Sequence, residues 1–190
     1  MQPPLPQVLI YQLRVTLLGT EPLIWRTIQV RSDVRLPKLH RILQAAMGWR
    51  NEHLHEFLLT PRQERALLED LGRLPRSEGS VRVDDVLRGR RSKLIYVYDM
   101  GDGWQHELCL EDMLVPTSDT HYPRCLAGAR ACPPEDCGGL GGYALLLKAL
   151  QNPRHPRHAS TLEWLRETTG DFQPETFDLD ATNRKLGRFK

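Results

Sequence analysis

Three histidines and two aspartates have the residue types and spacing to do chemistry together. His53 and His55 are two positions apart in a predicted strand, so both side chains leave the same face. His106 lies on a later predicted strand, after Asp99 and Asp102 of a Gly-containing turn. Imidazole and carboxylate groups bind metal ions and transfer protons. If the two regions are neighbours, we expect the five residues to line one pocket. The alternative is that His53 and His55 only pair with carboxylates at a sheet edge.

The segment from Pro133 to Gly139 carries two further carboxylates, Glu135 and Asp136, between two prolines and two glycines. Proline restricts the backbone, and glycine allows conformations and close approaches that other residues do not. Such a loop would present Glu135 or Asp136 to a cation or an arginine, although Asp136 would equally cap a turn. We therefore add both residues to the predicted pocket.

Three of the four cysteines, Cys125, Cys132 and Cys137, lie within thirteen residues. Their spacing is not the paired two-residue spacing of a zinc ribbon, but a histidine would complete a tetrahedral Zn²⁺ site. Packing of an irregular loop and a redox or nucleophilic thiol are the alternatives. Zn²⁺ is the one cofactor that the residue types suggest. We expect no disulfide framework, because the chain opens without an export signal.

The positive charge is concentrated in one half of the chain. The 190 residues include 26 basic and 24 acidic groups, for a net charge of +2. Residues 1–95 hold 16 basic and 10 acidic groups, whereas residues 96–190 hold 10 and 14. Short runs of basic residues contact phosphates in nucleic-acid-binding proteins, or else form solvated loops. The candidate nucleic-acid contacts are Arg88, Arg90, Arg91 and Lys93.

Several function classes are disfavoured by missing signatures. The sequence has no GxxxxGK[ST] phosphate loop, no GxGxxG, no HExxH and no GxSxG. No stretch approaches the ~20 apolar residues that span a bilayer. We therefore expect a cytoplasmic protein without membrane contact.

The hydrophobic pattern predicts the elements that must position these residues. Alternation over 9–17 and 23–30 predicts a hairpin, and apolar spacing of three and four over 37–47 predicts a helix ending at Gly48. This order predicts an α+β fold with an antiparallel or mixed sheet, a β-β-α-β start and C-terminal helices. We expect a flexible lead-in over 1–7 and a single domain over 8–190. The remaining predicted elements are strands 53–60, 94–100 and 104–110, a short strand or turn 80–87, and helices 143–151, 160–169 and 180–186.

Blocks along almost the whole chain, from about residue 9 to 187, resemble the plasmid pRiA4b ORF-3-like family. The order in which the blocks follow one another is specific to this family. The block rich in Pro, Cys and Gly, Ala131–Gly139, gives the strongest resemblance. The blocks are Pro22–Arg26, Leu39–Trp49, His53–Phe57, Tyr96–His106, Tyr122–Cys125, Ala131–Gly139, Trp164 and Phe177–Leu186 with Asn183.

This resemblance implies a protein without an established biochemical role. Family members are sometimes labelled TnpR-type resolvases or passenger proteins of insertion elements, which implies a mobile-element context. Residues 11–16 resemble the Tyr-Ala-Arg-Val-Ser motif of serine resolvases but have an extra residue, and Thr16 stands where the nucleophilic serine should be. We therefore do not expect resolvase chemistry.

We expect a ligand-binding or metal-binding accessory protein, with catalysis left open and not favoured. The first alternative is a nucleic-acid-associated accessory protein. The second is a metal-assisted hydrolase that uses carboxylates of the predicted pocket, drawn from Asp99, Asp102, Glu135 and Asp136.

Overall fold

The computed structural model describes residues 8–61, 63 and 78–189. The lead-in predicted for residues 1–7 lies outside this part of the chain.

Among the described residues, six strands form one antiparallel sheet. Across the sheet they lie in the order β3-β4-β5-β1-β2-β6. The two predicted hairpins are present, with Leu17 opposite Ile24 in one and Tyr98 opposite Trp104 in the other. In chain order the strands are β1 (Ile10–Leu17), β2 (Ile24–Arg31), β3 (His55–Leu58), β4 (Lys93–Tyr98), β5 (Trp104–Leu114) and β6 (Arg124–Ala129).

The first helix has the start and stop that its sequence indicates. Pro37 lies in the first turn, where its missing N–H leaves no hydrogen bond unmade. Gly48 ends the helix with φ of 108°, and its N–H donates to the carbonyl of Gln44. The α-helices of the described residues are α1 (Leu36–Met47), α2 (Val83–Val86), α3 (Gly139–Gln151), α4 (His158–Thr168) and α5 (Leu179–Leu186).

One hydrophobic core joins the sheet to the helices. Leu13 and Val15 of β1 and Leu39 and Ile42 of α1 are fully buried in it. The buried positions of β1 alternate from Leu13 onward, as expected for a strand with one face covered. The predicted α+β class with a β-β-α-β start is therefore confirmed.

The structure departs from the predicted elements in two places before β4. The third strand begins at His55, so His53 precedes the strand. Residues 80–87, predicted as a short strand or turn, contain helix α2 after a single bridge between Arg35 and Arg82. The side chain of Asp85 accepts a hydrogen bond from the N–H of Arg82 at 2.7 Å, which caps this helix.

Strand β6 was not predicted, because its sequence lies in a turn-rich stretch. It pairs with β2 at one edge of the sheet, and α5 packs against it. The side chain of Asn183 bonds both the N–H and the carbonyl of Cys125, at 2.8 and 3.0 Å. Partners distant in sequence thus stabilise this strand.

Within the ranges described, none of the helices has the length and apolar composition that crossing a membrane requires.

Candidate metal centre

The turn between β4 and β5 positions Asp99. This residue has φ of 58°, in the left-handed region that aspartate tolerates better than most residues. Its Oδ1 accepts hydrogen bonds from the N–H groups of Gly101 at 2.9 Å and Asp102 at 3.3 Å. Its own N–H donates to the carbonyl of Leu54 at 2.9 Å. Asp99 Oδ2 lies 3.7 Å from Nε2 of His53.

The loop before α3 packs onto the same turn. Asp102 Oδ2 accepts a hydrogen bond from the N–H of Gly138 at 3.1 Å. Gly139 has φ of 64°, and a Cβ there would lie 2.6 Å from the carbonyl oxygen of Asp102. Only glycine allows this approach. The contact brings Glu135 and Asp136 to the tip of the β4–β5 hairpin.

Glu135 is a buried carboxylate with one oxygen satisfied and the other unpartnered. Its Oε1 accepts hydrogen bonds from the N–H of Arg50 at 2.7 Å and the hydroxyl of Tyr98 at 3.1 Å. Burial raises the pKa of Tyr98 to about 12, so the hydroxyl keeps its proton and donates. Oε2 is buried without a hydrogen-bond partner. An unpartnered buried carboxylate oxygen is costly unless a cation compensates it.

His53 brings the carboxylates of two chain segments together. Its Nε2 lies 3.2 Å from Asp136 Oδ1, 3.7 Å from Asp99 Oδ2 and 3.8 Å from Glu135 Oε2. Nε2 is itself buried without a hydrogen-bond partner. Glu52 adds a further carboxylate, since its ligand atom and those of His53 and Asp136 lie within 4.8 Å of one another.

The separation of His53 and Asp136 suits a shared metal ion. Ligand atoms bonded at ~2.1 Å in tetrahedral geometry lie about 3.4 Å apart. The distances from Nε2 of His53 to the three carboxylate oxygens, 3.2 to 3.8 Å, bracket that value. One imidazole nitrogen with carboxylate oxygens suits Zn²⁺, Mn²⁺ or Fe²⁺. Of the seven residues proposed for the pocket, the structure brings three carboxylates, those of Asp99, Glu135 and Asp136, within 3.8 Å of Nε2 of His53. Only Asp136 among these, together with Glu52, also forms with His53 a group of ligand atoms within 4.8 Å of one another in the described part of the chain.

The other three members of the predicted pocket have different surroundings. Asp102 bonds the N–H of Gly138, and its contact is with the loop backbone. His55 stacks on His40 of α1, with ring centroids 3.5 Å apart and planes 4° apart. His106 is fully buried in the core.

The hydrogen bonds of His106 define its protonation state. The indole N–H of Trp49 can only donate, so Nε2 of His106 accepts at 3.4 Å. Nδ1 then carries the proton and lies 3.3 Å from the carbonyl oxygen of Tyr96. Burial lowers the pKa of His106 to about 4. His106 is therefore a neutral core residue.

The cysteines lie away from this cluster or contribute no ligand to it. Cys125 is buried, and its thiol donates to the carbonyl of Ala127 at 3.3 Å. Burial raises the pKa of Cys132 and raises that of Cys137 to about 12, which opposes the thiolate form that metals bind. Of the residues described, only Glu52, His53 and Asp136 form a group of three or more His, Cys, Asp or Glu ligand atoms within 4.8 Å. Zinc binding by Cys125, Cys132 and Cys137 stays a prediction.

The basic run predicted to contact nucleic acid lies beside and at the start of β4. Lys93 Nζ pairs with Glu107 at 2.9 Å, and Arg90 pairs with Asp112 at 3.4 Å. Acidic neighbours thus offset part of the charge, and nucleic-acid contact stays a prediction. A surface cleft of about 520 Å³ is lined by all four cations, Arg88, Arg90, Arg91 and Lys93.

Sequence reasoning missed three residues that complete the cluster. Glu52 supplies a carboxylate, and the only available signal was its place next to His53. Tyr98 and Arg50 hold Oε1 of Glu135 through a hydroxyl and a backbone N–H. No local pattern marks a backbone N–H as a partner, so that contact required the tertiary structure.

Comparison with known proteins gives consistent matches. The model of the plasmid pRiA4b ORF-3-like protein family matches residues 9–181. The uncharacterized protein y4hQ of Sinorhizobium fredii is 38% identical over 169 residues, which cover 88% of this chain and 87% of that protein. The crystal structure of a protein of unknown function, MM3350 from Methanosarcina mazei Go1, is similar with a TM-score of 0.77 and 34% identity. That match covers 91% of this chain and 97% of the other. The chain therefore belongs to the plasmid pRiA4b ORF-3-like protein family.

Proposed function

We propose that this protein binds one divalent transition-metal ion through Glu52, His53 and Asp136, beside the buried carboxylate of Glu135, and acts as a metal-binding accessory protein. One observation carries the proposal. The ligand atoms of Glu52, His53 and Asp136 lie within 4.8 Å of one another, and Nε2 of His53 is buried without a hydrogen-bond partner. A metal ion held by these three residues would satisfy Nε2, and its charge would offset the unpartnered Oε2 of Glu135, which lies 3.8 Å from Nε2.

The charge of the cluster favours a divalent cation over a proton. Protonated His53 would carry a single positive charge against three carboxylates within 3.8 Å of its Nε2. A divalent ion bound by His53 supplies two positive charges beside these carboxylates. Among metals, the single imidazole favours Zn²⁺, Mn²⁺ or Fe²⁺ over Ca²⁺, which prefers six to eight oxygen ligands.

The test is metal analysis of the untagged protein after dialysis against low concentrations of Zn²⁺ or Mn²⁺. We expect about one equivalent of bound metal and a rise in melting temperature, since an ion at about 100 times its Kd stabilises the folded state by ~2.7 kcal/mol. Asp136→Asn should weaken binding without unfolding the protein, because the Asp136 side chain is 66% exposed.

A second variant separates this site from the cysteines. Cys125→Ser with Cys132→Ser should leave the bound metal unchanged if the carboxylate cluster holds it. If the double variant loses the metal and Asp136→Asn retains all of it, the cysteines bind the metal and the carboxylate cluster does not. Less than about 0.2 equivalents in the wild-type protein would end the metal proposal altogether.

Metal-assisted hydrolysis is the second candidate function, and the exposure of Asp136 favours it. A ligand at the surface leaves an ion accessible to water, and a metal-bound water is a nucleophile at neutral pH. Metal-dependent hydrolysis of an activated phosphodiester that disappears in Asp136→Asn would select this candidate.

We also propose a cytoplasmic location and a mobile-element context for this accessory role. Both rest on the sequence expectations and on the labels that resembling proteins carry.

A further inference from the structure

A separate cleft of about 340 Å³ lies between α1, residues 49–51 and the C-terminal end of α5. Its lining also includes the side chains of Gln44, Trp49 and Phe189. None of the lining residues is acidic. Four of them are cations, namely Arg41, Arg50, Lys185 and Arg188.

Three of these cations have no acidic partner within the part of the chain that the structure describes: Arg41, Lys185 and Arg188. Arg50 is the exception, since its guanidinium pairs with Glu52 at 3.0 Å and donates to the carbonyl of Thr168 at 3.0 Å. Some cations elsewhere have acidic partners, as in the pairs of Lys93 with Glu107 and of Arg130 with Glu175. Uncompensated charges of one sign around a concave surface attract ions of the opposite sign.

The helix ends do not account for the whole set. Lys185 and Arg188 lie near the C-terminus of α5, where cations interact favourably with the helix dipole. Arg41 lies in the middle of α1, where no such interaction operates. Two elements distant in sequence therefore direct positive charge to the same cleft.

We propose that this cleft binds the phosphate groups of an anionic ligand. Arginine guanidinium groups bind phosphate through paired hydrogen bonds, and three or four cations exceed what one carboxylate can neutralise. The cleft volume suits a pyrophosphate group or the phosphates of one nucleotide. The same chemistry is presented by free phosphorylated compounds and by a nucleic-acid backbone.

The cleft is connected to the metal cluster through one residue. The N–H of Arg50 donates to Oε1 of Glu135 at 2.7 Å, while Arg50 also lines the cleft. A larger neighbouring cleft of about 580 Å³ shares Trp49, Arg50 and Lys185 with it and includes Glu135 in its own lining. The phosphate proposal uses none of the metal ligands, so either site can be present without the other.

Isothermal titration calorimetry with pyrophosphate tests the cleft, at low salt and with EDTA present so that no metal contributes. The informative variant is Arg41→Gln with Arg188→Gln, because both side chains are exposed and neither has an acidic partner among the described residues. We expect binding about tenfold weaker than in the wild-type protein.

The matched control is Lys38→Gln with Arg184→Gln. It removes the same charge from α1 and from the C-terminal region around α5, at exposed positions outside the cleft lining. We expect a change of less than about twofold. Equal weakening in both double variants would mean that net charge alone attracts pyrophosphate, and would overturn the proposal. So would the absence of measurable heat with the wild-type protein at low salt.

A single-stranded oligonucleotide then identifies the source of the phosphate. Tighter binding than pyrophosphate, with the same loss in Arg41→Gln with Arg188→Gln and a steep decrease with salt, assigns the cleft to a nucleic-acid backbone. Weaker oligonucleotide binding assigns it to a small phosphorylated compound. If the oligonucleotide binds equally to the wild-type protein and to this variant, it binds at another surface. That result would contradict the cleft as a nucleic-acid site.

Discussion

Replacing His106 with glutamine should reduce the sensitivity of this protein's stability to acid. His106 has no exposed surface, and its two ring nitrogens bond the indole of Trp49 and the carbonyl of Tyr96. The contact with Trp49 requires the neutral ring, because a protonated Nε2 cannot accept a hydrogen bond. Burial lowers the pKa of His106 from 6.5 to about 4, so the folded protein resists protonation at this position.

The sign and the size of the effect follow from this pKa difference. Between pH 6.5 and pH 4 the unfolded chain binds the proton and the folded chain does not, so acid favours unfolding. The contribution of neutral His106 is present above pH 6.5 and is lost as the pH falls towards 4. Linkage gives a loss of about 2.5 kcal/mol in the free energy of unfolding between about pH 7.5 and about pH 4.5.

Urea unfolding followed by circular dichroism at these two pH values measures the loss in the wild-type protein and in His106→Gln. Glutamine retains an oxygen that can accept from Trp49 and has no proton to gain. Other titrating groups act alike in both proteins and cancel in the difference. The wild-type protein should lose about 2.5 kcal/mol more than the variant. Equal losses would show that His106 is not held neutral, and would refute the hydrogen-bond assignment.

Two further predictions concern packing and buried charge. A Cβ on Gly142 would lie 1.8 Å from the carbonyl oxygen of Cys137, whereas one on Gly141 meets nothing within 4 Å. In thermal melts Gly142→Ala should therefore cost about 3 kcal/mol, and Gly141→Ala should be neutral or stabilising by up to ~1 kcal/mol. A similar cost for both would contradict the loop position. Arg26 is 2% exposed and donates to four backbone carbonyls, so Arg26→Met should cost about 3 kcal/mol in urea unfolding. Arg14→Met, which removes a guanidinium stacked on a tryptophan ring, should cost less than ~1 kcal/mol. The reverse order would show that the Arg26 bonds contribute little.

Local patterns predicted the elements that depend on nearby residues. Helix α1 was predicted from Pro37 to Met47 and is observed from Leu36 to Met47. The two agree closely because a proline marks the first turn and a glycine follows the last residue. The β1–β2 hairpin follows from alternation and a turn in the same way. Strand β6 was missed because its pairing depends on β2 and on Asn183, 58 positions from Cys125.

The candidate site was predictable where glycine and proline residues flank its carboxylates. The turn glycines beside Asp99 and the Pro-Pro and Gly-Gly flanks of Glu135 identified the two segments that the structure places together. Alternation alone could not separate the histidines. His55 stacks on His40 of α1, and His106 is buried in the core. Helix packing decides which side chains of a strand remain accessible, and alternation does not report it.

The positions of the proposed metal-site residues along the chain have a consequence for synthesis. His53, Asp99 and Asp136 are brought together from segments roughly forty residues apart. A nascent chain on the ribosome therefore presents the imidazole first, the hairpin carboxylate second and the loop carboxylates last. An ion cannot be held by the full set until residues 135 and 136 have emerged and the loop has closed onto Asp102. Prematurely terminated products that end before Glu135 lack Asp136, one of the three proposed ligands, and we expect them to differ from full-length protein in metal content.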